Sequence, residues 1–279
     1  MKLHTIDTGL FKLDGGAMFG VVPKSIWQKT TPADANNMCT WAMRCLLIED
    51  GNRLILVDNG IGDKQDEKFM GHYYLHGEDT LDKSLAAKGF SRADITDVFL
   101  THLHFDHCGG SIIRQGDKLR PSFNNAFYWS NAKHWDWAVN PNDREKASFL
   151  KENILPIQES GQLRFVADEE GVQFHEGINI RFAYGHTDAM MLPQIQYKGH
   201  TIVYMADLLP SVGHIPLPYV MAYDMFPLKT LTEKKSFLQE ATEKQYILFL
   251  EHDAVHECCT LQQTEKGIRL DRTFDLASL

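Results

Sequence analysis

The chain alternates short apolar runs with polar turn segments, a pattern typical of strands and helices that pack around a core. Apolar runs at residues 45–48 and 54–57 flank an Asp-Gly-Asn turn and predict a β-hairpin. Residues 80–88 have apolar side chains at helical spacing and are followed by Gly89, so they predict a helix. Residues 97–100 predict the next strand. Strand and helix therefore alternate in the first part of the chain.

The second half of the chain continues this alternation after a segment of different character. Residues 129–161 are rich in tryptophan and charged side chains, and they predict a helical excursion from the main sheet, with two helices broken at Pro141. Further strands are predicted at residues 163–166, 178–184, 195–205 and 246–250, with a turn at residues 198–199 and a helix at residues 232–244. Because no repeat or linker is present, residues 1–279 predict a single domain.

Four side chains that commonly bind metals lie within six residues directly after a predicted strand, namely His102, His104, Asp106 and His107. Alternate residues of an extended segment share one face, so His102, His104 and Asp106 are expected to point together. His107 breaks this alternation, which indicates that the chain turns there, as the glycines at 109 and 110 allow. Chance would produce this pattern roughly 0.002 times in a chain of this composition. The segment therefore predicts a metal site.

More ligands are expected from later strands, because zinc and iron sites use about four ligands each. His186, Asp207 and His252 each stand after an apolar run. Side chains at the same edge of a sheet converge at one rim. These three residues are therefore candidates to complete a two-metal centre.

Together these residues resemble the metallo-β-lactamase superfamily. The likeness rests on the His-x-His-x-Asp-His motif, a later Gly-His-Thr, an aspartate after a strand and a final histidine. The resemblance extends over nearly the whole chain. It implies an α/β fold of the αββα type, a sandwich of two mixed β-sheets with helices outside and a metal site at one edge.

The resemblance also implies how the ligands are divided between two divalent metal ions. One ion would be bound by His102, His104 and His186, and the other by Asp106, His107 and His252. Asp207 would bridge both ions, and Asp58 would support the ligands from behind. Zinc is the expected metal, and these ligands also suit iron, cobalt and manganese. Asp106 and Asp207 are the expected catalytic residues.

A bridging aspartate also narrows the expected reaction. Within the superfamily, class B β-lactamases lack it, whereas lactonases, glyoxalase II enzymes and phosphotriesterase-like members have one. Residues 13–24 and 217–224 further resemble quorum-quenching N-acyl-homoserine lactonases and organophosphate hydrolases. The resemblance therefore implies a dinuclear hydrolase in which a metal-bridging hydroxide attacks a lactone or other ester-type bond.

The sequence departs from the lactonases at one position and leaves other activities open. The lactonase tyrosine three residues after the bridging aspartate is Pro210 here, and Tyr219 and Tyr223 are candidates for its role. The alternatives are a glyoxalase II-like thioesterase, a phosphotriesterase and a non-hydrolytic metal-binding protein of the same fold. Di-iron relatives of the last kind usually have a glutamate in the first motif, where this chain has His104. A nuclease is disfavoured because the chain has no basic run.

The amino-acid composition of the chain indicates which partners and which cellular location to expect. The chain has 28 basic and 37 acidic side chains and a net charge of −9, so nucleic acid is not an expected partner. Five cysteines without a C-x-x-C pair indicate a reducing compartment, and we expect a cytoplasmic location. The N-terminus lacks an apolar signal region, and no membrane segment is predicted. The expected partner is a small ester or lactone, and a homodimer would match the lactonase-like relatives.

Overall fold

The computed structural model describes residues 1–279 and contains fifteen strands and eight helices. The strands are β1 (Lys2–Asp14), β2 (Met38–Asp50), β3 (Arg53–Val57), β4 (Asp97–Phe99), β5 (Ile112–Gln115), β6 (Lys118–Pro121), β7 (Phe127–Asn131), β8 (Leu163–Val166), β9 (Gln173–His175), β10 (Ile178–Ala183), β11 (Met190–Tyr197), β12 (His200–Tyr204), β13 (Ile247–Phe249), β14 (Cys258–Thr264) and β15 (Gly267–Phe274). The helices are α1 (Gly15–Phe19), α2 (Lys24–Trp27), α3 (Glu67–Met70), α4 (Leu81–Ala87), α5 (Phe105–Cys108), α6 (Ala132–Val139), α7 (Lys151–Glu159) and α8 (Pro227–Glu243). No helix is both long enough and apolar enough to cross a membrane.

Contacts within the chain divide it into two compact units, each built from two separate segments. The first unit contains residues 1–9 and 43–172, and the second contains residues 10–42 and 173–279. The single domain expected over residues 1–279 stays a prediction.

The first unit is built on a six-stranded mixed sheet with the order β1-β2-β3-β4-β7-β8. β2 and β3 form the predicted antiparallel hairpin, with Leu47 opposite Leu56, while β3, β4, β7 and β8 run parallel. The parallel strands β3 and β4 are almost entirely buried, which explains their continuous apolar runs. The predicted helix is confirmed as α4, which Thr80 caps and which buries Leu81 and Leu85 in the core.

The second unit is built on a seven-stranded mixed sheet with the order β15-β14-β13-β12-β11-β10-β9. β12 and β13 run parallel, and the other neighbouring strands are antiparallel. β11 and β12 form the predicted hairpin, and Lys198 takes a positive φ of 49° in its turn. Helix α8 buries Phe237, Leu238 and Ala241. Each unit therefore contains a mixed sheet and buried apolar side chains.

The structure confirms the α/β class with two mixed sheets, but it corrects several predicted elements. Trp129 lies in β7 and pairs with Phe99 of β4, so the excursion predicted at residues 129–161 begins with the end of a strand instead of a helix. Residues 140–150 between α6 and α7 are also not helical. The sequence pattern did not predict β1, β5, β6, β9, β14 or β15. Of these, β1 and β15 are edge strands that bury few side chains and lack a clear apolar pattern.

Candidate metal centre

The first unit presents its predicted ligands on an irregular segment followed by a short helix. β4 ends at Phe99, residues 100–104 form no strand, and Asp106 and His107 lie in α5. The strand alternation expected over residues 102–106 is therefore wrong, and one helical turn positions the last two predicted ligands. All four side chains are buried, with exposures of 8% or less, and these are His102, His104, Asp106 and His107.

Glycine is required at positions 109 and 110 because a side chain would not fit there, and not because of the backbone conformation. Gly109 has a φ of −60°, which any residue adopts, so the turn does not need glycine for its conformation. A Cβ atom on Gly109 would lie 2.1 Å from the carbonyl oxygen of Ile61, and one on Gly110 would lie 2.2 Å from that of Asn59. The glycines therefore let the ligand segment pack directly against the backbone that follows β3.

The partners of His102 and His104 indicate which ring nitrogens carry protons. The Thr101 hydroxyl donates to Asp58 Oδ2 at 2.6 Å, so its oxygen accepts from His102 Nδ1 at 3.1 Å. His104 Nε2 donates to the Glu145 carboxylate at 2.9 Å. The remaining nitrogens, His102 Nε2 and His104 Nδ1, are acceptors that lie 3.1 Å apart. Two lone pairs at this distance repel each other unless a proton or a metal cation lies between them.

His107 and Asp106 complete the cluster of the first unit. His107 Nδ1 donates to Asp58 Oδ2 at 3.2 Å, and Asp58 Oδ1 accepts from the backbone N–H of Thr101 at 2.8 Å. The other ring nitrogen, His107 Nε2, lies 3.8 Å from Asp106 Oδ2. Asp58 thus orients His107 directly and His102 through Thr101.

The second unit brings His186, Asp207 and His252 together. They follow β10, β12 and β13 in the chain, and all three are buried. His186 Nε2 lies 3.0 Å from Asp207 Oδ2, and His252 Nε2 lies 3.1 Å from Asp207 Oδ1. His186 Nδ1 donates to Asp224 Oδ1 at 2.8 Å. His252 Nδ1 donates to the carbonyl of Ala42, also at 2.8 Å. Unless the rings carry a second proton, both Nε2 atoms are acceptors that face a carboxylate.

Each cluster therefore attracts a cation. Burial alone would lower the pKa of His186, but the carboxylates of Asp207 and Asp224 outweigh this effect and raise the pKa to about 10. A hydrogen bond from the far ring nitrogen to a carboxylate or carbonyl is also the usual support of a metal-binding histidine. Ligand atoms lie within 4.8 Å of each other in the pairs His102–His104, Asp106–His107 and His186–Asp207. The donor set in both units fits a divalent metal.

Two of the supporting residues, Glu145 and Asp224, were not identified in the sequence. Each is 1% exposed, and Glu145 also accepts from Trp137 Nε1 at 2.7 Å. They lie 41 and 38 residues from the histidines that they contact. No local motif marks a partner at such a separation, so only the folded chain reveals them.

The residues considered for the missing lactonase tyrosine have different surroundings. Pro210 is buried. Tyr219 packs edge-on against Phe19, with 6.2 Å between ring centroids, whereas Tyr223 is 38% exposed. A role of either tyrosine in substrate binding stays a prediction.

Comparison with known proteins identifies the family. The model of the metallo-beta-lactamase superfamily matches residues 44–252, which is most of the chain, and the chain belongs to this superfamily. The resemblance inferred from the ligand motifs is therefore confirmed.

Several individual proteins are similar to this chain. The N-acyl homoserine lactonase AiiA of Bacillus thuringiensis subsp. kurstaki is 24% identical over 196 residues, which cover 67% of this chain and 66% of the lactonase. The chain thus spans about two thirds of the curated relatives that it matches. A probable metal-dependent hydrolase from Staphylococcus aureus has a TM-score of 0.89 at 28% identity, covering 100% of this chain and 98% of the other. AidC, a dizinc quorum-quenching lactonase solved with a product, has a TM-score of 0.80 at 22% identity, with coverage of 99% and 97%, and this likeness shows the fold alone.

Proposed function

We propose that this chain is a metal-dependent hydrolase whose predicted ligands hold two divalent ions. One ion would be held by His102, His104 and His186, the other would be held by Asp106, His107 and His252, and Asp207 would be shared by both. The proposal rests on close contacts between buried groups that can bind a cation. His102 Nε2 and His104 Nδ1 are 3.1 Å apart. The Asp207 carboxylate lies 3.0 Å from His186 Nε2 and 3.1 Å from His252 Nε2. Divalent cations at these positions would replace the protons that these close contacts otherwise require.

The chemistry depends on both the ions and the residues around them. Two divalent ions, when bound, lower the pKa of a shared water and polarise the oxygen of the scissile bond. Asp58, Glu145 and Asp224 hold the histidine rings in fixed orientations, so little reorganisation is needed during the reaction. Asp106 is assigned a second role as an acceptor for the proton that the attacking water loses, because its carboxylate is buried beside His107.

The proposed substrate is a small lactone or another ester-type molecule. Support comes from the N-acyl homoserine lactonases among the relatives and structural neighbours. Zinc is the proposed metal, because one neighbour is described as a dizinc enzyme and His and Asp side chains suit zinc. We also place the protein in the cytoplasm, since all five cysteines are buried and free.

A substrate panel combined with elemental analysis tests the proposal. We expect about two metal equivalents per chain and the highest kcat/KM for a lactone, against an aryl ester, a paraoxon-type phosphotriester, S-lactoylglutathione and a cephalosporin. Preference for S-lactoylglutathione would instead indicate a thioesterase of the glyoxalase II type, and preference for the phosphotriester would indicate a phosphotriesterase. Absence of hydrolysis by metal-loaded protein would leave a non-hydrolytic metal-binding protein.

A pair of variants tests the ligand assignment on the same protein. Asp207→Asn keeps the size of the side chain but removes the charge shared by both ions, so we expect it to lower metal content and kcat/KM by at least tenfold. His200→Ala is the control, because His200 is an exposed residue at the start of β12. Equal damage from both variants at equal metal loading would show that the assignment is wrong.

A further inference from the structure

Helix α8 binds two segments of the second unit that meet at His186. The first is residues 184–186, which end at His186, and the second is residues 216–224, which end at Asp224. Asp224 Oδ1 accepts from His186 Nδ1 at 2.8 Å, so the orientation of this ring depends on where both segments lie. A group that fixes the two segments therefore also influences the ring.

The Glu233 carboxylate of α8 binds the backbone directly before His186. Its Oε1 accepts from the N–H of Tyr184 at 2.9 Å, and its Oε2 accepts from the N–H of Gly185 at 3.0 Å. Gly185 also packs closely on α8, because a Cβ atom there would lie 2.3 Å from the backbone nitrogen of Thr230. Both oxygens of one carboxylate thus hold consecutive N–H groups, which fixes this segment against the helix.

The next residue of the helix, Lys234, binds the second segment. Lys234 is 1% exposed. Its Nζ donates to three backbone carbonyls, those of Pro216 at 3.0 Å, Leu217 at 3.5 Å and Tyr219 at 2.8 Å. Because an ammonium group has three N–H donors, these carbonyls use all of them. The start of the second segment is therefore fixed to the same helix as the first segment.

The partners of the Lys234 ammonium group are carbonyls and not carboxylates. A buried charge is usually paired with an opposite charge, because taking it out of water is costly. Burial lowers the pKa of Lys234 to about 7, and the charge of Asp224 opposes this shift. An apolar side chain at this position would avoid the desolvation cost but could not bind the three carbonyls. Binding them therefore explains a lysine at this position.

The far end of the second segment is joined to the first. The N–H of Met225 donates to the carbonyl of His186 at 3.0 Å, and the N–H of Phe226 donates to that of Gly185 at 2.8 Å. Asp224 thus lies between a point fixed on the His186 segment and a point fixed on Lys234.

We propose that Glu233 and Lys234 are positioning residues for the metal site, which together hold Asp224 against His186. Neighbouring residues of an α-helix point about 100° apart, so one helix can hold two different segments. For the role of His186 as a metal ligand, this inference rests on the proposed function. Loss of either contact should let the ring move and weaken metal binding, although no ligand is removed.

Chelator competition on Lys234→Met tests the effect on metal affinity. Methionine has a side chain of similar length but no donor, and we expect metal binding to be about fivefold weaker. Lys235→Met is the matched control, because Lys235 is the exposed neighbour on the same helix, and we expect wild-type affinity there. Wild-type affinity in Lys234→Met, or an equal loss in Lys235→Met, would overturn the proposal.

A double-mutant cycle separates positioning from a general loss of stability. In Asp224→Asn protein the contact that Lys234 supports is already weakened, so we expect Lys234→Met to lower metal affinity less than twofold in this background. A residue that acts on stability alone would have the same effect with either residue at position 224. A fivefold loss in both backgrounds would therefore refute the positioning role.

A measurement on metal-free protein separates failure of this inference from failure of the proposed function. The His186 Nδ1–H proton, bonded to Asp224, is followed by NMR and assigned by its absence in His186→Ala. We expect it to exchange with water about fivefold faster in Lys234→Met and in Glu233→Gln, which leaves one oxygen for two backbone N–H groups. The second variant keeps the proposal testable if Lys234→Met does not fold. Unchanged exchange in these variants would refute the inference, whereas wild-type protein that binds no metal would refute the proposed function.

Discussion

Asp224→Asn tests whether His186 is a metal ligand oriented from behind by a carboxylate. Asp224 Oδ1 lies 2.8 Å from His186 Nδ1, and both side chains are buried. Asparagine keeps the size of the side chain and one oxygen acceptor but removes the negative charge. The variant therefore isolates the contribution of that charge to metal binding.

The size of the effect follows from the buried hydrogen bond. A bond to an ionised group contributes about 1.5–3 kcal/mol, against about 1 kcal/mol for a neutral pair. Losing the difference, on the order of 1.5 kcal/mol, corresponds to about tenfold weaker metal binding. Replacing the partners of metal ligands typically costs about 10–100-fold in affinity or activity, which agrees with this value. We therefore expect about a tenfold loss of metal affinity in Asp224→Asn.

Chelator competition measures the metal affinity, and urea denaturation measures the stability of the same samples. Asp97→Asn is the control, because Asp97 is also a buried carboxylate, bonded to Arg53 at 2.6 Å and to Trp129 Nε1 at 2.8 Å. We expect Asp97→Asn to destabilise the fold while metal affinity stays at the wild-type value. Wild-type affinity in Asp224→Asn, or an equal loss of affinity in Asp97→Asn, would refute the reasoning.

Two further predictions concern stability. Burial lowers the pKa of His214 to about 3. Between about pH 6.5 and 3 the unfolded chain therefore binds a proton at this residue that the native chain does not bind. The free energy of unfolding should decrease by up to about 1.4 kcal/mol for each unit by which the pH is lowered in this range. Urea denaturation from pH 6.5 to 4.5 should show a smaller acid dependence for His214→Gln, and equal slopes would contradict the buried neutral state. Gly109→Ala should destabilise the native state by about 3 kcal/mol, because the new Cβ atom would lie 2.1 Å from the carbonyl oxygen of Ile61. A loss of less than about 1 kcal/mol in the same assay would show that the backbone shifts to accommodate the Cβ atom.

Elements and residues that depend on a local pattern could be predicted from the amino-acid sequence alone. The hairpin of β2 and β3, helix α4 and strands β8, β10, β12 and β13 follow from periodicity and turn residues, because each depends on neighbours close in the chain. The motif from His102 to His107 was recognisable for the same reason, since four potential metal ligands lie within six residues. The spacing and residue types of this motif were enough to point to the superfamily.

The orientation of these residues and the contacts that support them can be seen only in the folded chain. The sequence pattern suggested a strand at residues 102–106, but packing placed Asp106 and His107 on the turn of helix α5. Glu145 and Asp224 reach their histidines across 41 and 38 residues, and no local spacing predicts such contacts. The need for Gly109 likewise comes from a backbone that is distant in sequence. Hydrogen bonding and close packing depend on which segments the fold brings together, and a local sequence pattern does not predict which segments these are.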